Sequence, residues 1–508
     1  MRQSEETVVQ NQTEIYSNFN TIPYTLINSE IADSAKTVLD ELINISKYYN
    51  IYRKGASFSV EGNNGDYVSA DLKFKMASSL VKKEVRFLFA ESPDIIVDCK
   101  GSADRNTEEA KRNITVLNDL VNTILKKNLF EDALLKAAKD CFIGKRVVAV
   151  VNFNEEDGVT ITFLPSTQFL YETKLGNNNV LEKLVCFMIV KESRALTEKR
   201  IFKKKYELIN NEVYLTEAIY DGCGALLEEL TTDRKLDIDF IPAVVIVNDG
   251  LTGDTQGESE IEQLMEYESW LSKLNNGDID SLRKNMNATK YLVDMESSST
   301  KDLSTAPGAL WDLGSDQNLD SSHPMVGILE SSMNYSDTLK KTLDRVKTIA
   351  YEEVDMPNIT LESLQGSITS GKSLKAIYWS LIVRCKEKMK TWSPKLEQLV
   401  DIIIKGSMVY QNCITQYTND IIQPVEYEIN VAGNIPLPED EQEEKNLDIM
   451  EVNAQVMSRK AYMKKWRGLT DDEAQEELEQ IALERQILEE ASFNLNDDLT
   501  NNKKLENL

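Results

Sequence analysis

A single histidine, His323, stands in 508 residues. Its isolation excludes Ser-His-Asp or Cys-His catalysis at any other position, and every metal site built from two or more imidazoles. It precedes Pro324 in a polar stretch, where an ordinary surface residue is expected. Cysteine is also sparse. Cys99, Cys141, Cys186, Cys223, Cys385 and Cys413 lie so far apart that no CxxC pair exists, which excludes a zinc ribbon or a dithiol redox motif. They read as free thiols of a reducing cytoplasm. Long apolar runs are missing. Runs such as Val244–Val247 and Ile402–Ile404 are short, far below the roughly 20 residues of a membrane-spanning helix. The start, MRQSEETVVQNQTE, has no apolar signal core. The chain is therefore expected in an aqueous compartment, without a membrane partner.

Positive charge is short as well. Lys and Arg number 57 against 84 Asp and Glu, a net of -27. A chain that binds duplex DNA by neutralising phosphates carries the opposite balance, so most of this surface should repel DNA. Taken alone, such acidity serves solubility. The apolar fraction of 41% and charged fraction of 28% are ordinary for a globular protein. The length exceeds what one core can hold, so several subdomains are expected.

Hydrophobic periodicity orders the chain. Residues 1–28 are polar and unpatterned. Ile31, Ala35, Val38, Leu42 and Ile45 mark an amphipathic helix over 31–48. Helical stretches at 72–90, 107–127 and 129–143 alternate with strands at 95–99, 147–153, 159–164, 184–191, 213–220 and 240–247, separated by turns such as Glu156-Asp157-Gly158. This reads as an α+β domain with a largely antiparallel sheet. Arg200, Lys203, Lys204 and Lys205 read as a solvated strand end or turn. Ser259 and Glu262 form a capping-box pattern that opens a helix weakened at Gly277. Residues 288–330 lose helical period, hold a short strand at Tyr291–Val293, and form an insertion between two helices. The second helix, 332–354, ends ahead of Pro357. A polar loop follows.

The most regular segment comes next. Leu374, Ile377, Leu381, Cys385, Met389, Trp392, Leu396, Leu399 and Ile403 predict a helix over 371–405, roughly 52 Å long, with a kink or break at Ser393-Pro394. It carries eight bases (Lys372, Lys375, Arg384, Lys386, Lys388, Lys390, Lys395 and Lys405) against three acids. Such a helix either packs on acidic neighbours or turns a basic stripe toward DNA. A strand at 425–431 returns toward the sheet region. Residues 431–508 hold 19 acids and 9 bases, with Thr470 and Glu473 as a second capping box.

One chemical motif occurs. Gly366–Ser373 matches G-x-x-x-x-G-K-S, in which backbone amides, Lys372 and Ser373 would hold nucleotide phosphates and magnesium. A true phosphate loop leaves a buried apolar strand, and residues 357–365 are not one. The candidate acidic strand end, Val244–Asp249, lies upstream in an antiparallel setting. No catalytic residue, metal ligand or cofactor is assigned.

Three stretches carry a family resemblance: Gly257-Glu-Ser-Glu-Ile-Glu through Ser281; Ser370-Gly371-Lys372-Ser373-Leu374-Lys375, where the family commonly has Ser-Gly-x-Ala-Leu; and Ser458 to Glu484 with its Glu477-Leu-Glu-Gln-Ile. In their order and spacing the chain resembles the portal proteins of tailed phages, in the branch typical of phages of Gram-positive bacteria. That resemblance covers residues 30 to 490 and implies the portal fold. Its parts would be a polar arm (1–28), an α+β wing (29–256), a first stem helix (257–287) and a small α/β clip (288–330). A second stem helix (331–354), a tunnel loop (355–370), a long wing helix (371–405) and a return strand (406–437) would follow. A helical acidic crown (438–490) and a disordered tail (491–508) would end the chain.

The resemblance further implies no enzyme but a closed ring of about twelve copies, made in the host cytoplasm and carried at one capsid vertex of the virion. The ring would be the channel for DNA packaging and ejection. Implied partners are the terminase large subunit, a head-completion or adaptor protein, major capsid and scaffolding proteins, and non-specific double-stranded DNA. Asn358, Thr360, Ser363 and Gln365 would line the channel. Lys372, Lys375, Lys386 and Lys390 are candidate DNA-facing or interface bases. The alternatives are a nucleotidase using Gly366–Ser373, tested by Lys372→Ala, and an oligomeric phage adaptor or scaffold without a channel.

Overall fold

The computed structural model describes residues 22–31, 35–58, 69–100, 108–191, 193, 195–251, 255–286, 289–293, 325–329, 334–358, 375–418, 426–434, 441–470, 473–484 and 486. The chain divides into two compact units, one of residues 1–358 and 378–436, the other of 359–377 and 437–508. Together they make an α+β protein with several antiparallel sheets.

The first unit opens with helices α1 (Tyr24–Glu30), α2 (Ala35–Lys54) and α3 (Met76–Phe89), then strand β1 (Asp94–Cys99) and helices α4 (Glu108–Lys127) and α5 (Phe130–Gly144). Eight strands follow: β2 (Arg146–Asn154), β3 (Gly158–Pro165), β4 (Phe169–Lys174), β5 (Asn177–Lys191), β6 (Arg200–Ile209), β7 (Glu212–Asp221), β8 (Leu226–Lys235) and β9 (Ala243–Val247). They form two antiparallel sheets, of order β3-β2-β9 and β4-β5-β6-β7-β8, where a single one was expected. Local chemistry sets the hairpins. Asn210 and Asn211 both adopt positive φ between β6 and β7, as the tightest hairpin turn requires.

The two sheets face each other across Val148, Leu164, Phe169, Leu184, Tyr206 and Leu215. On the other side, Leu170, Val185, Phe187 and Ile201 pack on Ile27 and Leu42 from α1 and α2. The bases of β6 are therefore not at a solvated turn. Lys203 is buried and bonded to Glu30, Lys205 reaches Glu207 at 2.8 Å, and Lys204 reaches Glu217 at 3.2 Å. The alternation that brings Ile201 and Tyr206 inward carries the lysine stems across the sheet to carboxylates.

Helix α6 (Glu260–Met286) starts one residue after Ser259. The expected reciprocal box does not form. Ser259 Oγ accepts from the Ile261 N–H (3.2 Å) and donates to the Ile143 carbonyl (2.6 Å), while Glu262 turns to Lys145 at 3.2 Å. Gly277 lies inside the helix without interrupting it. Strands β10 (Thr289–Val293) and β11 (Met325–Leu329) pair antiparallel, which extends the expected short strand into a hairpin pair. His323 and the rest of that insertion lie outside the described residues. Helix α7 (Ser336–Glu353) packs on α6 yet fully buries just one residue, Ala350.

Helix α8 (Trp379–Val409) begins after a turn at Tyr378, runs through Pro394 without the break that was one of the two expected outcomes there, and extends past residue 405. Leu381, Cys385, Trp392, Leu396, Leu399 and Ile403 are buried in the main core with α3, α4, α5 and β2. Strand β12 (Tyr427–Ala432) returns to pair with β1 rather than with either larger sheet. The far edge of β1 is closed by Asn118 of α4, whose amide accepts from the Val97 N–H (2.9 Å) and donates to its carbonyl (2.6 Å). An edge satisfied in this way cannot accept another strand at that point.

The second unit holds α9 (Glu441–Asn453), α10 (Arg459–Arg467) and a further helical stretch at 473–484. Asp448 joins the first two, accepting from Trp466 Nε1 (2.7 Å) and pairing with Lys465 (2.9 Å). Here the capping box does form. The Thr470 N–H donates to Glu473 Oε2 (2.9 Å), and the Glu473 N–H donates to Thr470 Oγ1 (3.4 Å).

Candidate nucleic-acid interface

The candidate loop leaves α7 through Val354, Asp355, Met356, Pro357 and Asn358. Val354 and Met356 are buried, Asp355 takes φ 51°, and Asn358 is exposed. Thr360, Ser363, Gln365, Lys372 and the whole Gly366–Ser373 motif lie outside the described residues. Residues 354–358 are turn and coil, and 359–365, which directly precede the motif, lie outside the described residues. Val244–Val247 is a strand of the antiparallel three-stranded sheet. Neither is the buried parallel strand that a phosphate loop terminates.

The basic run splits into two populations. Lys386 and Lys390, four residues apart, are exposed on one stripe of α8 with Trp379 and Val383. Lys375, ahead of the helix, is half-buried. Lys395 is half-buried near Asn179 (3.2 Å), and Lys405 is exposed and paired with Asp401. Arg384 and Lys388 point inward.

The inward pair builds a buried ionic cluster. Lys388 Nζ lies 2.7 Å from Glu260, 2.8 Å from Asp249, 2.8 Å from the Asn248 side-chain oxygen and 3.6 Å from Glu84. It also sits over the Phe142 ring at 4.4 Å. Arg384 donates to Glu84 (2.8 Å) and Glu260 (2.5 Å), and approaches Asp355 at 3.6 Å. Five elements meet there: α3 through Glu84, the end of β9 through Asn248 and Asp249, the first turn of α6 through Glu260, α8, and the turn after α7 through Asp355. Burial opposes the Lys388 charge, but Glu260, Glu84 and Asp249 outweigh it and hold its pKa above the usual lysine range. Burial and the nearby Glu260 push Glu84 up. Glu260 faces the same burial, yet Lys388 and Arg384 hold it below the usual carboxylate range. The helix N-terminus favours that negative charge as well.

This cluster is invisible to sequence reasoning. Glu84, Glu260 and the two bases are scattered over 300 residues, and in sequence Arg384 and Lys388 look like Lys386 and Lys390. The one available signal is a net-basic helix in an acidic chain. Arg384 also links α8 to the turn after α7, through Asp355 at 3.6 Å.

All six cysteines are free. Cys223 is exposed and the others are buried. No described helix is long and apolar enough to cross a membrane.

A family model for phage portal proteins, SPP1 Gp6-like, matches residues 28–490. No curated protein matches the chain. Among solved structures, a chain from the virion of a native gene transfer agent (GTA) particle is similar at 10% identity, over 84% of this chain and 99% of that one, with a TM-score of 0.34.

Proposed function

The chain belongs to the phage portal protein family, a component of the virion, and on that premise we propose that its copies close into a ring through which the genome is packaged and ejected. The family match over nearly the whole chain carries this reading. In it, the ring holds about twelve copies, sits at one capsid vertex, and docks the terminase motor and the head-completion protein. It hydrolyses nothing itself. The first unit supplies wing, stem and clip. Helices α6 and α7 are the stem, and the β10-β11 pair begins and ends the clip. The second unit supplies the crown.

Several features support this reading. Leu339, Leu343 and Val346 of α7 are only half-buried within one chain, so an apolar stripe remains for neighbours to cover. A ring of about twelve chains, each with a net charge of -27, carries on the order of 300 negative charges, which keep a passing duplex from being gripped. Asn358, Thr360, Ser363 and Gln365 touch phosphates weakly at the narrowest point, and Lys386 and Lys390 are the bases free to face DNA or a neighbour.

Negative-stain electron microscopy of the purified protein tests the ring. Annular particles with a central hole are expected. Monomers or solid globules at every salt and protein concentration would sink the proposal. Alanine at Asn358, Thr360, Ser363 and Gln365 together is expected to lower packaged DNA and infectivity, and unchanged values would remove the loop from the mechanism.

A further inference from the structure

Strand β8 has an unusual surface for the edge of a sheet. It pairs with β7 alone, and nine of its ten residues are exposed on one face or the other. Leu226, Leu227 and Leu230 are 55%, 46% and 49% exposed. Glu228 and Glu229 lie among them. A free edge that also shows leucines is a liability in water unless something covers it.

A complementary surface exists on the same unit. The C-terminal end of α2, the loop after it and α6 enclose a groove of about 540 Å³. Ile51 and Met265 form its apolar part, and Lys47, Lys54 and Lys73 line it against one acid, Glu266. Three lysines around one cleft stand out in a chain of net charge -27. Among the described residues Lys47 bonds to Asn44 (3.1 Å), and no carboxylate there pairs with Lys47, Lys54 or Lys73. Leu72 and Trp270, next in sequence to the lining residues Lys73 and Ser269, are 55% and 57% exposed.

We propose that the leucine-bearing, acidic start of β8 in one copy seats in the lysine-lined groove of the next copy. The occupant is a second copy of this chain because both surfaces are partly apolar and their charges are opposite, Glu228 and Glu229 on β8 against Lys47, Lys54 and Lys73 in the groove. Two different surfaces meeting in this way make a head-to-tail contact, the kind that closes into a ring instead of a twofold dimer. The inference rests on the ring reading and names a surface pair for it. Leu226 to Leu230 span about 13 Å of strand, so leucines of one face can lie over the groove while the adjoining glutamate approaches its lysines.

Charge exchange tests the pairing. E228K/E229K and K54E/K73E should each lower the ring fraction in mass photometry by about tenfold or more. The chain carrying all four substitutions should recover it. An unchanged ring fraction in either variant would overturn the pairing. So would failure of the fourfold chain to recover while its monomer melts like wild type.

Unmutated protein gives a second measurement. Cys223, the one exposed thiol, lies in the turn just ahead of β8. In rings assembled from isotopically light and heavy copies, a short maleimide–succinimidyl ester cross-linker should join Cys223 of one copy to Lys47, Lys54 or Lys73 of the other. Mixed-label products only at other lysines would overturn the pairing even if the charge variants fail to fold. Absence of rings in wild-type protein would instead remove the ring reading, and this inference with it.

Discussion

Lys388 shows how much one side chain can hold. Its ammonium faces Glu260, Asp249 and Asn248 at hydrogen-bond distance, deep enough that water cannot replace it. Lys388→Met should strand buried carboxylates and cost about 3–5 kcal/mol, read from urea unfolding of the isolated subunit. Asp140 supplies a pH signature. Its carboxyl normally titrates near 4; burial outweighs the Tyr49 hydroxyl and the Arg53 and Lys139 charges and pushes it up to about 6. The folded chain therefore keeps a proton that the unfolded chain releases, and Asp140 takes stability away as pH rises between those values. Asp140→Asn should flatten that slope by roughly 1–2 kcal/mol across the window, seen in melts at pH 4.5 and 6.5. An unaltered slope would show that Asp140 does not titrate there.

At the scale of elements, α8 combines a proline and a close approach. Pro394 lacks the N–H that would reach back one turn, yet Trp392 and Leu396 on either side are buried. Their packing keeps the helix continuous where propensity alone predicts a break. Gly406 lets the same helix lie against β2. A Cβ there would fall 2.0 Å from the Phe153 ring, so Gly406→Ala should destabilise by about 1–3 kcal/mol in thermal melts. Helices and apolar strands were legible in the sequence because their periods are dictated by burial, as in α3, α4, α5 and β2. Strand β6 was missed since its lysines resemble a surface run until their partners, Glu30 and Glu217, are in place. Strand β8 was missed because it buries neither face, so no period marks it. Of the candidate interface, Lys386 and Lys390 are exposed on α8, while the sequence left open whether the bases of this helix pack on acidic neighbours or face DNA. The ionic cluster behind them depends on contacts between Arg384, Glu84 and Glu260 that no local pattern encodes.

For the whole molecule, a net charge of -27 opposes contact with DNA. The proposed ring should therefore bind a duplex fragment weakly. Any phosphate contact should reveal itself in the salt dependence. If Lys386 and Lys390 both touch the backbone, K386E/K390E should reduce the slope of log affinity against log salt by about 2, measured by fluorescence anisotropy on assembled rings. An unchanged slope would assign both lysines to protein contacts.

The thiols carry a consequence for time rather than for assembly. A virion leaves the reducing compartment in which its proteins are made. Burial pushes Cys186 and Cys385 up to about 12 and Cys141 higher, and the thiolate is the form that oxidises. Cys99 and Cys413 are buried too, which leaves Cys223 in contact with solvent. A stored particle should therefore age, in its cysteine chemistry, at one sulfur per subunit, while the interior keeps the redox state of the cell it came from.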